Sequence, residues 1–565
     1  MYILGVNYSG HDAAAALLDG GRVAAAVEEE RLARIKHIDR FPLAAIRACL
    51  KMAGIGPADL DEVALYLDPA IYLRRLFSDS VRYFPRSARN FRRHLRRYLY
   101  WRGRRRAIPL EIGSSRARFH FVPHHLAHAA AGFFTSPFSE AAVLTVDGIG
   151  EWTTAALCRG QGNRITILKE FRTQDSLGHL YSFVTEYLGF KKNDGEGKVM
   201  GLAAFGQPRY LELFSGILRL SEAGYSVDSS WFNWDGGCYR HGRGGWVSER
   251  FLRALGPARA PGAPLEQRHR DIAASLQAAL EGAMLHLAGI LRRLTGLDDL
   301  VVSGGVALNS VINGLLLERT GFKRLYVPPA PGDAGTSLGA ALYVAHAVLG
   351  EPRRPGRLSP FLGPEQGDDE VHRFLKDAGL PYRVVDDPAD ACAELLSQGA
   401  IVGWLQGRME FGPRALGNRS ILCDPVRPEM KDVLNLRVKH REPFRPYAPS
   451  IPEGRVRLYF DREHPSPYMS MTLPVRPERR PDFPAAIHVD GTARLQTVER
   501  ALNPRYFEMI EAFGRRTGRY AVLNTSFNVQ GEPIVCTAQD AVRCFYSTGM
   551  DHLFLGPFLL SKRAP

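Results

Sequence analysis

Apolar runs broken by glycine-containing turns set the pattern of this chain from its first residues. The run YILGVNYSG is followed by AAAALLD, the pair Gly20–Gly21 and then RVAAAVEEER. Alanine alone favours helix, but Asp19, Gly20 and Gly21 form a tight-turn signal and glycines flank the first run. The stretch therefore predicts a strand leading into a β-hairpin. A second strand signal, AAVLTVDGIGEWTTAAL, ends in an acid followed by glycine and threonine, so its loop reads as a counterpart of the first. Between Asp271 and Arg292, Ile272, Leu276, Leu280, Met284, Leu287 and Leu291 recur every three to four residues, which is one face of a long helix. DLVVSGGVALNSVINGLLLE then reads as a buried strand, a glycine turn and a helix that begins near Asn309, and YVPPAPGDAGTSLGAALYVAHAV repeats that order. Strands that end in glycine and acid loops and hand over to helices predict an α/β architecture with its site at the loop ends.

The pattern changes at GEPRRPGRLSPFLGPEQGDDE, residues 350–370, which is rich in proline, glycine and charge. A domain boundary falls here, giving an α/β domain over 1–350 and an α+β domain over 351–565. In the second domain DPADACAELLSQG predicts a helix, AIVGWLQ a buried strand, and GRMEFGPRALGNRS a glycine and arginine loop.

Composition narrows the picture. The chain has 565 residues, 45% apolar and 23% charged, as in an ordinary globular protein with at least two cores. By inspection no apolar run of about 18 residues stands out, so no membrane partner is expected. The start lacks the pattern of a secretory signal, and the seven cysteines show no C-x-x-C pair; both point to the cytoplasm. The net charge is +14, yet the segment from Arg74 to Arg106 holds thirteen arginines against one acid, Asp79, and accounts for +12 of it. That segment interleaves arginine with Phe, Tyr, Leu and Trp at roughly helical spacing. It suits a lid over a cleft, a surface for RNA or an acidic partner, or a lipid surface. With the rest nearly neutral, nucleic acid is not the expected partner.

Candidate chemistry falls into two groups. In HHLAHAA, His124 and His128 stand at i and i+4, so a helix would project both from one face; Asp147 in TVDGIG and Asp333 in PGDAGTS could complete a mixed site. Such donors suit iron, manganese or zinc better than calcium. His125 points elsewhere, and H-E-x-x-H peptidase chemistry is excluded because His125 stands where the glutamate would be. His11, beside Asp12, is a candidate general base. The second group comprises Arg408, Arg414 and Arg419, then Lys439, Arg441 and Arg445. Their planar forks and point charge match phosphate or carboxylate oxygens, while pairing with Glu410, Asp424 and Glu442 is the alternative. Asn524, Ser526 and Asn528 alternate after a short strand, which would put them on one face.

Taken in order, GVNYSGHDAAAALL, EEERLARIKH, HHLAHAA, VDGIGEWTT, GKVMGLAAFG, SGGVALNS, PGDAGTSLGAAL, GRMEFGPRALGNRSIL, VKHREPFRPYAPS and LNTSFNVQGEP resemble the nodulation and antibiotic O-carbamoyltransferases, the NodU/CmcH family. The N-terminal motifs are shared with the wider ASKHA ATPases, including the tRNA threonylcarbamoyl transferases. The resemblance implies an N-terminal ASKHA-type (actin/hexokinase-like) domain and a C-terminal YrdC-like domain. It implies formation of carbamoyl-adenylate from carbamoyl phosphate and ATP, with Mg2+, and transfer to a small-molecule hydroxyl, a natural product or sugar. By matching motif positions it implies that Arg414, Arg419, Lys439, Arg441, Arg445 and Ser526 hold carbamoyl phosphate and the ATP phosphates. It likewise implies that Lys36, Lys198, Gly304, Gly305 and Asn309 grip the adenylate, and that His124, His128, Asp147 and Asp333 bind a divalent metal, usually iron. His11 matches the histidine that deprotonates the acceptor; Arg414 and Lys439 complete the expected catalytic set. The rival reading is a tRNA-modifying or RNA-binding ATPase. A homodimer is the default assembly.

Overall fold

A computed structural model describes residues 1–562 except positions 86, 115, 236, 237, 243 and 244. Its N-terminal part uses one topology twice. Strands β1 (Tyr2–Asn7), β2 (Ala14–Asp19) and β3 (Arg22–Glu28) form an antiparallel meander, and β4 (Glu62–Leu65) and β5 (Arg118–Phe121) add in parallel on the other side of β1. Strands β6 (Glu140–Val146), β7 (Thr153–Gln161), β8 (Arg164–Arg172), β9 (Asp299–Ser303) and β10 (Arg324–Tyr326) repeat the order and the directions. This doubled unit is the ASKHA-type architecture that the resemblance implied. The Gly20–Gly21 hairpin forms as expected, with both glycines at positive φ. The acidic run after β3 turns into the short helix α1 (Glu29–Ala33).

The remaining helices that position the site are α2 (Leu43–Ala53), α3 (Pro69–Arg82), α4 (Ala88–Ile112), α5 (His124–Phe133), α6 (Leu177–Tyr187), α7 (Glu196–Ala203), α8 (Gln267–Thr295), α9 (Ser310–Arg319) and α10 (Ala334–Tyr343). Helix α10 lies on β1 and β2, α5 lies on β6 and β9, and the two helices pack against each other as the layer between the sheets. That contact is close enough to require glycine: a Cβ on Gly339 would sit 1.9 Å from the Ala127 carbonyl oxygen. The close approach brings the start of α5 and the start of α10 to one place. Helix α8 has the length and apolarity to cross a bilayer, but 67% of its apolar window is buried, with Ile272, Leu276, Leu280, Met284, Leu287 and Leu291 in the second core. It is a core helix whose apolar stretch inspection of the sequence passes over.

Residues 349–367 form no helix and no strand beyond an isolated bridge between Phe361 and Glu410. After them comes a mixed nine-stranded sheet. Its strands are β11 (Arg383–Val384), β12 (Val402–Leu405), β13 (Arg419–Cys423), β14 (Ala448–Pro452), β15 (Met471–Pro474), β16 (Thr492–Val498), β17 (Val522–Ser526), β18 (His552–Leu555) and β19 (Phe558–Ser561). Their order is β11-β19-β18-β12-β13-β17-β14-β16-β15. Alternation along the strands splits the core between two faces: Val402, Trp404 and Leu422 pack with helices Pro388–Ser397 and Pro504–Thr517, while Leu405, Ile421 and Cys423 pack on the other side. All seven cysteines are buried and unpaired.

Candidate functional site

Four donors meet where α5 and α10 converge. His124 and His128, one turn apart on α5, bring their Nε2 atoms within 3.0 Å of each other. Asp147, after β6, places Oδ2 3.3 Å from His124 Nε2 and 4.0 Å from His128 Nε2. Asp333, the N-cap of α10, places Oδ1 3.7 and 3.5 Å from the same two nitrogens. All four residues are buried, and Asp333 Oδ1 and His128 Nδ1 are buried without a hydrogen-bond partner. Donors on a first-row metal with bonds of about 2.0–2.2 Å stand roughly 3–3.5 Å apart, so this set fits a divalent cation. The mix of imidazole and carboxylate suits iron, manganese or zinc. His125 turns away, its Nδ1 2.8 Å from Thr145 Oγ1; burial and the charges on His124 and His128 hold it neutral.

Surrounding groups hold these ligands in place. Glu151 accepts the His124 backbone N–H at 3.1 Å and the Asp68 N–H at 2.6 Å, tying the start of α5 to the start of α3. The Gly305 N–H donates to Asp147 Oδ1 at 2.7 Å.

His11 stands at the rim, its Nε2 3.8 Å from Asp333 Oδ2. Its Nδ1 lies 2.8 Å from Asp12 Oδ2, and the other Asp12 oxygen lies 2.6 Å from His37 Nδ1. His37 Nε2 is in turn 3.0 Å from Asp194 Oδ1, which also holds Lys36. Ser9, Asp12, His37 and Asn193 all have φ between +56° and +69°, so left-handed backbone is concentrated along this chain of groups. Burial pulls the His11 and His37 pKa values down, but the charge of Asp333 with the Asp12 hydrogen bond for His11, and the hydrogen bonds to Asp12 and Asp194 for His37, outweigh it. The net values are about 10 and about 9. A cation on Asp333 and Asp147 would cancel part of what raises His11.

The second group lies in the C-terminal half, next to Lys36 and Lys198 of the N-terminal half. Lys439 is buried, with its Nζ 2.7 Å from the carbonyl oxygens of Ser526 and Asn528 and from Asn528 Oδ1, and 3.2 Å from Ser526 Oγ. Burial, then the charges of Arg441 and Arg445 and of Lys36 opposite, draw its pKa well below the ordinary lysine range. Burial brings Arg414 and Arg441 each down to about 10, with Arg445 adding to both. Arg494 on β16 joins them: burial, with the charges of Arg414, Arg441 and Arg445, depresses it strongly, and its Nε is buried without a partner. Among the described residues, Lys439, Arg414, Arg441 and Arg494 make no ion pair with a carboxylate. Glu442 pairs Lys198 at 2.8 Å and Arg445 at 3.9 Å. Lys439 is buried and Arg414, Arg441 and Arg494 are half-buried, and desolvated cations without counter-ions are costly unless an anion arrives.

Several expected residues stand elsewhere. Arg419 belongs to β13, not to the preceding loop, and is fully buried; its guanidinium is taken up by the carbonyls of Gln406, Gly407, Asn418, Cys536 and Pro364. Arg408 crosses the domain seam to the carbonyls of Ala24, Leu362 and Gly363. Asn524 is buried on Gln496 Oε1 and the Ala415 carbonyl. β17 ends at Ser526, yet Ser526 Oγ still donates to Asn528 Oδ1 at 2.7 Å and both side chains meet Lys439, so the expected shared face holds for these two. Asn309 caps α9 through the Ile312 N–H and meets Gln277. Gly304, at φ 94°, turns the chain into the Gly305 amide, which faces Asp147. Sequence reasoning named Asp12 only as the neighbour of His11 and missed His37, Glu151 and Arg494. For Arg494 a signal existed, since Thr492, Arg494 and Gln496 alternate as polar positions on a strand.

Comparison with known proteins places these features in context. Residues 2–342 match the family described as Carbamoyltransferase N-terminus and residues 393–562 match Carbamoyltransferase C-terminus. An uncharacterized protein of Synechocystis sp. is 41% identical over 602 aligned residues, covering 100% of this chain and 97% of the relative. The nodulation protein NolNO of Sinorhizobium fredii is 40% identical, covering 98% and 79%. The nodulation protein U of the same species is 29% identical, covering 100% and 99%.

Proposed function

The chain belongs to the carbamoyltransferase family, and on that premise we propose that it makes carbamoyl-adenylate from carbamoyl phosphate and ATP in the C-terminal domain and passes the carbamoyl group to a small-molecule hydroxyl at His11. The observation that carries the first half is the convergence of Arg414, Lys439, Arg441, Arg445 and Arg494 with Glu442 as their one ion-paired acid among the described residues. An adenylate formed with release of pyrophosphate needs a carbamate oxygen as nucleophile. Carbamoyl phosphate therefore first loses phosphate to water, and the carbamate oxygen then attacks the α-phosphorus. Every species in that sequence is anionic, and fixed cations in a desolvated site stabilise charge as it shifts between oxygens. Lys439 is fixed in place by the oxygens of Ser526 and Asn528, so its position does not shift while anions exchange beside it.

The two halves meet beside these cations. Lys36 acts on Lys439, Lys198 holds Glu442, and Arg414 reaches the Leu308 carbonyl at 3.5 Å, so the adenylate has a short path toward α5 and α10. A divalent cation on His124, His128, Asp147 and Asp333, iron by family likeness, would supply Lewis-acid polarisation of the carbamoyl carbonyl. His11, donating Nδ1–H to Asp12, keeps Nε2 to accept the proton of the acceptor hydroxyl. The alcohol oxygen bonds to the carbamoyl carbon as AMP leaves. We assign the first step to a YrdC-like domain over 351–565 and the second to 1–350. The acceptor is a natural product or sugar, and the reaction is placed in the cytoplasm.

The test needs no acceptor. Purified protein with ATP, Mg2+ and carbamoyl phosphate should release pyrophosphate and yield a carbamoyl-adenylate mass, and Arg445→Ala should abolish both. Folded, metal-loaded wild type that forms neither would overturn the assignment.

A further inference from the structure

The arginine segment that no motif explained forms the hairpin α3–α4; Arg86 and the side chain of Arg89 lie outside what the structure describes. Its inner face is fixed to the catalytic domain. Asn90, His94, Trp101, Ile108 and Ile112 recur at helical spacing on α4 and are buried, Trp101 to 1% exposure. Arg75 donates to the Glu151 carbonyl at 2.8 Å, and Arg104 donates to the Tyr8 hydroxyl at 2.6 Å.

The outer face carries the charge. Opposite the buried line, Arg92, Arg96, Leu99, Gly103, Arg106 and Leu110 follow one another along about 27 Å of α4, all exposed and with no acid among them. At the hairpin end, Val81 and Phe84 are 83% and 77% exposed, with Phe77 one turn before Val81 at 62%. The one acid of the segment, Asp79, is buried on Arg75. A bare cationic stripe with Leu99 and Leu110 in line with the arginines, and with Phe77, Val81 and Phe84 exposed at the hairpin end, is therefore fixed to a domain whose remaining charge is nearly neutral.

We propose that this face docks on an anionic phospholipid bilayer, lying on its surface without crossing it, where the arginines meet headgroup phosphates and Phe77, Val81, Phe84, Leu99 and Leu110 enter the acyl boundary. A single-stranded or folded RNA would use the cations but give the exposed Val81, Leu99 and Leu110 nothing to bury, since nucleic-acid platforms stack bases on flat rings. A bilayer interface takes both kinds of side chain at once. This departs from the expectation of no membrane partner, which considered spanning segments alone.

Sedimentation of the full chain with phosphatidylcholine vesicles, with and without phosphatidylglycerol, tests it. Wild type should pellet with the anionic vesicles only, and added salt should weaken the binding. Arg92→Gln/Arg96→Gln/Arg106→Gln should lower the affinity roughly a hundred-fold. Phe77→Ser/Val81→Ser/Phe84→Ser should lower it about ten-fold or more. These side chains are exposed, so melting and pyrophosphate release should match wild type and exclude misfolding. Failure to pellet, equal pelleting with neutral vesicles, or unchanged binding of the apolar variant would each overturn the proposal. Tight, salt-steep binding of tRNA that is lost only with the arginine changes, alongside intact vesicle binding by the apolar variant, would transfer the surface to RNA.

Discussion

Gly305 donates its backbone N–H to Asp147 Oδ1 at 2.7 Å, so the turn after β9 holds one of the four candidate metal donors. A Cβ on Gly305 would lie 2.6 Å from that oxygen. The carboxylate must then move, and repositioning a ligand through its supporting group costs about 10–100-fold in metal affinity. Gly305→Ala should therefore titrate with Fe2+ or Zn2+ that much more weakly than wild type. Gly216→Ala, where a Cβ meets nothing within 4 Å, should bind as wild type does.

Asp12 divides its carboxylate between His11 and His37 at 2.8 and 2.6 Å. Asparagine tolerates the positive φ of this position, so Asp12→Asn should keep the fold while losing an acceptor that fixes the His11 ring. Pyrophosphate release from ATP and carbamoyl phosphate should stay within about twofold of wild type. Transfer to any hydroxyl that wild type carbamoylates should fall roughly 10²–10⁴-fold in kcat with little change in KM, as expected when a base loses its orienting acid. Equal loss in both half-reactions would assign Asp12 to folding alone.

What could be read from the sequence follows from how local the cause is. The His124 and His128 pair was legible because a helix repeats every 3.6 residues, and the hairpin at Gly20–Gly21 because turn chemistry is local. Asp147 and Asp333 were identifiable as acids in glycine turns, but only the packing of α5 on α10, with Gly339 against Ala127, brings them to the histidines. Arg419 shows the limit. Its motif reads as an anion loop, yet the loop ends one residue earlier and the side chain turns into the sheet, where main-chain carbonyls take it up. The role of Arg494 depends on strand pairing across a long insertion, which composition does not encode.

Arg494, half-buried with its Nε out of contact with any partner, adds a positive charge to three others, so it costs stability without an anion and contributes binding with one. Arg494→Leu should raise the melting temperature of the free protein by a few degrees, because a half-buried cation crowded by like charges, its Nε without a partner, is replaced by an apolar group. The same change should lower kcat/KM for carbamoyl phosphate at least about 10²-fold, since a charge-assisted contact of about 3 kcal/mol is lost. Pyrophosphate or phosphate should stabilise wild type more than the variant. A variant both less stable and fully active would place Arg494 outside the site.

Glu28 sets a pH dependence at the domain seam. Its Oε1 accepts the Gly412 N–H at 2.7 Å while Arg31, 3.6 Å away, donates to the Gly412 carbonyl at 2.8 Å, so one ion pair clamps both groups of one residue across the seam. Burial raises the Glu28 pKa to about 7; Arg31 opposes this, and the charge of Glu30 adds to it. An acid whose folded pKa exceeds its unfolded value binds protons more tightly when folded. Its contribution to stability is therefore complete below about 4.5 and is lost as pH rises through about 7. Wild type should lose about 1–3 kcal/mol between pH 5 and pH 8 from this group, read as a drop in the thermal midpoint. Glu28→Gln cannot titrate, so its midpoint should fall less over the same range, with the difference between the two proteins confined to the rise through pH 7. Parallel curves for variant and wild type would mean that the seam is held by Arg31, Arg34 and Arg408 on main-chain carbonyls and that the Glu28 charge takes no part in it.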